Sequence, residues 1–177
     1  MIENRRTSIP EDHPIHAIFR QLTERGMNQL NLRDNDTIQY VTNLLTEFIH
    51  IENMYRIRND TGQRLEYLCD ILEQASRAMS PDVRREHYRH LGDLTLFKLG
   101  LFPESFTYGR HTVSPGYLAE QGRRSYTIVA EMEKPEATIF FRKLSGQFEQ
   151  CVVGLNWVKV YINDPFYQYM FREFPVL

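Results

Sequence analysis

Residues 86 to 93 hold the densest set of side chains able to do acid–base or metal chemistry: Glu86, His87, His90 and Asp93. On a helix, steps of four and three put Glu86 and Asp93 beside His90. A carboxylate hydrogen-bonded to one imidazole nitrogen orients the other toward a metal ion or a transferable proton. Glu52, on the expected inner face of an earlier helix, is placed to complete such a cluster from across the fold. The commoner fate of such a histidine is structural: it is buried and satisfied by a neighbouring acid. Glu47 and His50 share the E-x-x-H spacing of carboxylate-bridged di-iron bundles. With Val41 as zero, however, they fall at about 240° and about 180°, away from the core face. There is no glycine-rich phosphate loop, no H-E-x-x-H, no G-x-S-x-G and no thiolate cluster. No cofactor is predicted; a metal ion held among Glu52, Glu86, His87, His90 and Asp93 is the alternative.

The element that carries this set begins at Ser80-Pro81-Asp82, a capping residue, a proline where no amide hydrogen is needed and an acid at the positive dipole end. Val83, His87, His90, Leu91, Leu94, Phe97 and Leu101 share one side, and Leu96, Leu99 and Phe102 point elsewhere. The second half is therefore apolar nearly all round, as in a helix buried among others. Gly92 and Gly100 inside it cost about 1 kcal/mol each against alanine, which implies close approach of another group, most simply a neighbouring helix.

Around this centre the pattern predicts further helices. Pro14 opens a short one ending at Gly26. A capping box at Asp36 and Gln39 opens another, to about Tyr55, with Val41, Leu44, Leu45, Phe48, Glu52 and Tyr55 inside. Leu65, Leu68, Cys69, Leu72, Ala75, Ser76 and Met79 form the stripe of the next. Ser114 and Pro115 start a helix to about Glu133 whose small residues Ala119, Gly122 and Ser125 permit a tight crossing. Pro135 opens a last long helix to about Ile162. Its heptad stripe runs Phe141, Leu144, Phe148, Cys151, Leu155, Val158 and Ile162, and Val153, Trp157 and Val160 widen it. No segment alternates like a strand. The expected fold is all-α, a single-domain antiparallel bundle of about five main helices with short terminal helices over residues 13–177, behind a flexible segment at 1–12.

Hydrophobic residues make up 42% and charged residues 25% of the 177, ordinary for a soluble globular domain. A formal charge of −2 gives no electrostatic reason to expect nucleic acid or an anionic membrane as partner. The start has no apolar run behind its charges and no stretch reaches the length of a spanning helix, so a cytoplasmic location is expected. Cys69 and Cys151 lie on predicted core faces without a CxxC and are expected as buried free thiols. Phe166, Tyr167, Tyr169, Met170, Phe171 and Phe174 crowd the C-terminal segment too densely to face one direction. Apolar surface of that kind marks an interface, with a homodimer as the simplest solution. The competing arrangement is a tail folded back over the bundle of a monomer.

The run R-H-L-G-D-L-x-L-F-x-L-G-L-F-P-E from Arg89 to Glu104, with Tyr117 and the G-R-x-S-Y of residues 122–126, resembles a family of uncharacterised bacterial all-helical proteins over most of the chain beyond residue 36. The resemblance implies a bacterial origin and carries no activity, cofactor or catalytic residue. Two functional classes follow. The favoured one is a non-catalytic protein-interaction module or homo-oligomer. The other is a ligand- or metal-binding bundle, an enzyme included, with its polar site around His90.

Overall fold

The computed structural model describes residues 9–10, 12–106 and 113–165. Among them it is all-α, as expected, with no strand. The helices are α1 (Pro14–Asn28), α2 (Asn35–Phe48), α3 (Ile51–Met54), α4 (Leu68–Arg77), α5 (Pro81–Leu101), α6 (Pro115–Met132), α7 (Pro135–Gly146) and α8 (Phe148–Asn163), with a 3-10 turn at Pro103–Phe106.

Helix α5 is the centre. From Tyr88 onward its buried residues point in every direction: His90, Leu91, Gly92, Asp93, Leu94, Thr95, Leu96, Phe97, Leu99 and Gly100. It packs against α4, α6 and α8 and touches α2. Only its first turn stays outside, with Val83 exposed. The two internal glycines are contact points, as the helix-propensity argument required. A Cβ built on Gly92 would sit 2.7 Å from the Tyr126 ring of α6, and one on Gly100 would sit 2.6 Å from Leu155 Cδ1 of α8. Gly122 on α6 meets Phe148 in the same way, so the small-residue stripe does mark a tight crossing.

Several boundaries differ from the sequence pattern. Gly26 does not end α1; it lies inside the helix, against the Gly154 carbonyl of α8, and Met27 beside it rests on Gly154. Small residues on both partners let α1 and α8 approach backbone to backbone. Helix α2 is capped by Asp34, whose carboxylate accepts from Thr37 N and Thr37 Oγ1 at 2.9 and 2.6 Å, not by Asp36. Asp34 also pairs with Lys143 of α7; burial pushes its carboxyl up, but this pairing and the two Thr37 hydrogen bonds together hold it below the usual range. The helix stops at Phe48, so the short α3 is a separate turn and Glu52 does not continue the α2 stripe.

Residues 57–65 form a tight loop before α4. Leu65 N donates to Ile57 O, while Asn59 Oδ1 accepts from Thr61 N and Gln63 N around Gly62 at φ +82°. Helix α4 turns Ile71 and Ala75 inward, leaving Cys69 and Met79 exposed. The α4 stripe is therefore rotated a little from the expected one: Leu65, Leu68, Leu72 and Ala75 turn toward the core as the pattern predicts and Ile71 joins them, because α5 lies along that side. Cys151 alone is the buried thiol, and burial pushes it up to about 12.

The expected long C-terminal helix is broken at Gln147. The heptad stripe nonetheless keeps its phase across the break, with Phe141, Leu144, Phe148, Cys151, Leu155 and Val158 all buried. The break lets α7 follow α6 while α8 turns onto α1 and α5. Since the described helices cover α8 on one side only, Val153, Trp157 and Val160 do not widen the core; they are 42%, 40% and 56% exposed.

Two sets of substitutions test this packing. Leu94→Ala, at a fully buried position, should cost ~2–5 kcal/mol in chemical denaturation. Gly92→Ala should lose ~1–3 kcal/mol through overpacking against Tyr126. Gly146→Ala, with open space around its Cβ, should be neutral or gain up to ~1 kcal/mol from helix propensity. Equal effects at Gly92 and Gly146 would refute the close approach of α5 and α6.

Candidate functional site

The five residues that the sequence grouped do not share one site, because α5 is enclosed and successive side chains enter different interfaces. Glu52 lies on α3 at the surface and pairs with Arg64 at 3.0 Å. Glu86 and His87 line an open cleft of about 400 Å³ together with Arg56, Arg58 and Asp82. Most of its charges are matched within the protein: Arg56 reaches Glu47 at 3.0 Å and Glu86 at 3.9 Å, and Asp82 pairs with Arg85 at 3.3 Å, while Arg58 donates to the Gly62 carbonyl at 3.0 Å. Burial, aided by the Arg56 charge, lowers the His87 pKa from its ordinary value, although a hydrogen bond with the Gln74 backbone acts in the opposite sense.

His90 is fully buried and does not line that cleft. Its Nε2 donates to the Met54 carbonyl at 3.0 Å, and its ring stands edge-on to Phe48 at 5.8 Å. It thus ties α5 to the end of α3. This removes the main support for acid–base or metal chemistry at His90. Among the described residues no three His, Cys, Asp or Glu side chains converge where they could hold a metal ion.

Asp93 is the buried polar centre, and its partners come from elsewhere. Its Oδ1 accepts from the Tyr40 hydroxyl of α2 at 2.6 Å and from the Tyr126 hydroxyl of α6 at 2.8 Å. Arg89, one turn earlier on α5, has Nε 4.0 Å from Asp93 Oδ2 and donates to the Tyr40 oxygen at 3.3 Å. Its guanidinium lies 5.4 Å over the Tyr40 ring and 5.9 Å over Phe141, within cation–π range. Tyr40, Tyr126, Phe140, Phe141 and Phe148 form the aromatic surround, with ring centroids 5.2 to 6.2 Å apart.

The electrostatics follow from this geometry. Burial, then the charge of Asp93, raises both the Tyr40 and Tyr126 hydroxyls well above the ordinary phenol value. Burial opposes the Arg89 charge, yet the Tyr40 and Asp93 oxygens outweigh it and raise Arg89 above its own. A carboxylate whose neighbours all hold their protons tightly is a poor proton relay and a good cross-brace. It joins α2, α5 and α6 through charge-assisted hydrogen bonds. Arg89 stands at the i,i+4 step from Asp93, a spacing that could have marked it, although the sequence pattern paired Asp93 with His90 instead. Tyr40 and Tyr126 carried no local signal, since they stand 53 and 33 residues from Asp93.

The interface residues expected in the C-terminal segment (Phe166, Tyr167, Tyr169, Met170, Phe171 and Phe174) lie outside the described residues. Among the described residues no helix is long and apolar enough to cross a membrane. Comparison of the chain with protein-family models, with curated proteins and with solved structures finds no match.

The tyrosine pair gives a test with a defined sign. Because both hydroxyls titrate higher in the folded state than in the unfolded chain, their contribution is intact below the ordinary phenol value of 10.0 and is lost as pH rises above it. Spectrophotometric titration should show that two of the ten tyrosines stay protonated until the protein unfolds in alkali. Tyr126→Phe should cost ~1.5–3 kcal/mol at neutral pH, the range for a hydrogen bond to a charged group, and should weaken the alkaline loss. Ten tyrosines titrating together near pH 10 in the folded protein would contradict the buried brace.

Proposed function

We propose that the chain is a single antiparallel helical bundle acting as a non-catalytic interaction module in the bacterial cytoplasm, with a second copy of itself as partner. The observation that carries this is the outer face of α8, where Val153, Trp157 and Val160 stand exposed at steps of four and three. That spacing is the ridge one helix presents to another. Trp157 is held in place by stacking on Tyr161, with ring centroids 6.0 Å apart and 28° between planes, and the Arg25 guanidinium lies 4.2 Å over the Tyr161 ring. An aromatic anchor fixed in this way loses little freedom on binding, the property of an interface hot spot.

The catalytic alternative is less well supported, since His90 and Asp93 are engaged inside the core. Two-fold pairing of α8 ridges would bury the tryptophans of both copies. Sedimentation of the full chain at tens of micromolar should show a dimer. Trp157→Glu and Val160→Glu should each give a monomer with unchanged far-ultraviolet circular dichroism. A wild-type monomer at that concentration would end the dimer proposal, and a dimer indifferent to both substitutions would move the interface off α8.

A further inference from the structure

A cleft of about 340 Å³ opens between α4, α5 and α6. The volume is at the small end of the range occupied by ligand pockets. Leu72 of α4 and Ile128 of α6, both half-buried, give it apolar walls. Its two serines are already engaged: Ser76 Oγ donates to Glu73 O and Ser125 Oγ to Gln121 O, each at 2.7 Å.

Three polar side chains lining the same cleft have no such engagement. Among the described residues nothing hydrogen-bonds the Tyr88 hydroxyl or the Gln121 side-chain amide, and no carboxylate pairs with the Arg124 guanidinium. Arg84, whose guanidinium lies 6.0 Å over the Tyr88 ring, likewise has no carboxylate partner. In the Glu86–His87 cleft, by comparison, Arg56 is matched by Glu47 and Glu86, and Arg58 donates to the Gly62 carbonyl. Arg20, Arg56, Arg64, Arg77, Arg85, Arg89 and Arg123 have carboxylate partners, whereas Arg33, Arg58, Arg84, Arg124 and Arg142 have none among the described residues; Arg124 is the one of these that lines this cleft. An arginine without an acid among the described residues, in a cleft also lined by a phenol, an amide and two aliphatic side chains, has the chemistry of an anion site with an apolar side.

We propose that the cleft between α4, α5 and α6 binds a small monocarboxylate carrying an apolar body. The planar fork of Arg124 takes the carboxylate in two hydrogen bonds, a geometry that guanidinium matches and an ammonium does not. Tyr88 and Gln121 donate to the remaining lone pairs, while Leu72 and Ile128 cover the hydrocarbon. A phosphate would meet the same donors but would leave the apolar walls uncovered. The site is independent of the α8 face, and neither depends on the other.

The test is a titration of the full-length isotope-labelled protein with hexanoate, phenylacetate, hexanamide and inorganic phosphate, followed by amide and side-chain nuclear magnetic resonance shifts. Hexanoate or phenylacetate should shift Tyr88, Gln121 and Arg124 in a saturable way. Hexanamide should bind about tenfold or more weakly, because it lacks the charge. Arg124→Gln, an exposed position whose change leaves the core intact, should weaken the carboxylate by about tenfold or more, and Tyr88→Phe by a smaller factor. Four results would overturn the proposal: no saturable shift with either carboxylate up to about 20 mM, shifts undiminished by Arg124→Gln, equal binding of the amide, or phosphate binding as tight as the carboxylates.

Discussion

The structure depends on one close approach, that of Tyr126 to α5. The ring lies on Gly92, where a Cβ would stand 2.7 Å away, and the hydroxyl reaches the Asp93 carboxylate of the next residue at 2.8 Å. The two features need each other. A side chain at position 92 would lift the ring and draw its hydroxyl away from Asp93. The carboxylate would then keep only Tyr40 and a distant Arg89, deep in a region where an under-satisfied charge is costly. Glycine and acid in sequence thus act as one device, the first admitting the ring and the second holding its end. With Tyr40 on the same oxygen, three helices distant in sequence are brought to one point.

The same principle recurs where α8 enters the fold. Gly26 and Gly154 let α1 and α8 meet at the backbone, and Gly100 receives Leu155. Asn156 adds a polar clasp, its Nδ2 donating to the Gly100 carbonyl at 2.6 Å near the end of α5. Close approach on this inner side leaves the outer side of α8 without a neighbour among the described helices. That asymmetry, and not any excess of apolar residues, places Val153, Trp157 and Val160 in solvent. The break at Gln147 belongs to the same geometry, because α7 and α8 each follow a different partner.

Inside the core, His90 Nε2 is held by the Met54 carbonyl, and Asp93 by two phenols. The outer face of α8 and the cleft that holds Tyr88, Gln121 and Arg124 are different. In both, side chains stand exposed or without an internal partner among the described residues.

Much of the local architecture was legible in sequence. The all-round burial of α5, the phase of the stripe from Phe141 to Val158 and the Ser114 cap, which accepts from Tyr117 N at 3.2 Å, all follow from residues within a turn or two of one another. Helical period and end capping are local properties, so one segment carries enough information to set them. The candidate site was only half legible. Sequence marked Asp93 and His90 as polar residues inside an apolar helix, but placed them in one cluster because they share a helical neighbourhood. In an enclosed helix, a rotation of one residue changes which neighbour a side chain meets. Asp93 therefore found Tyr40 and Tyr126, while His90 found Met54. The rotated α4 stripe, the break at Gln147 and the exposure of Trp157 also turned on which helix came to lie alongside. Sequence by itself determined that this chain is helical and which residues seek burial. Only the tertiary structure decided what each buried polar group would touch and which apolar face would be left in water, because those outcomes depend on contacts between segments that carry no mark of one another.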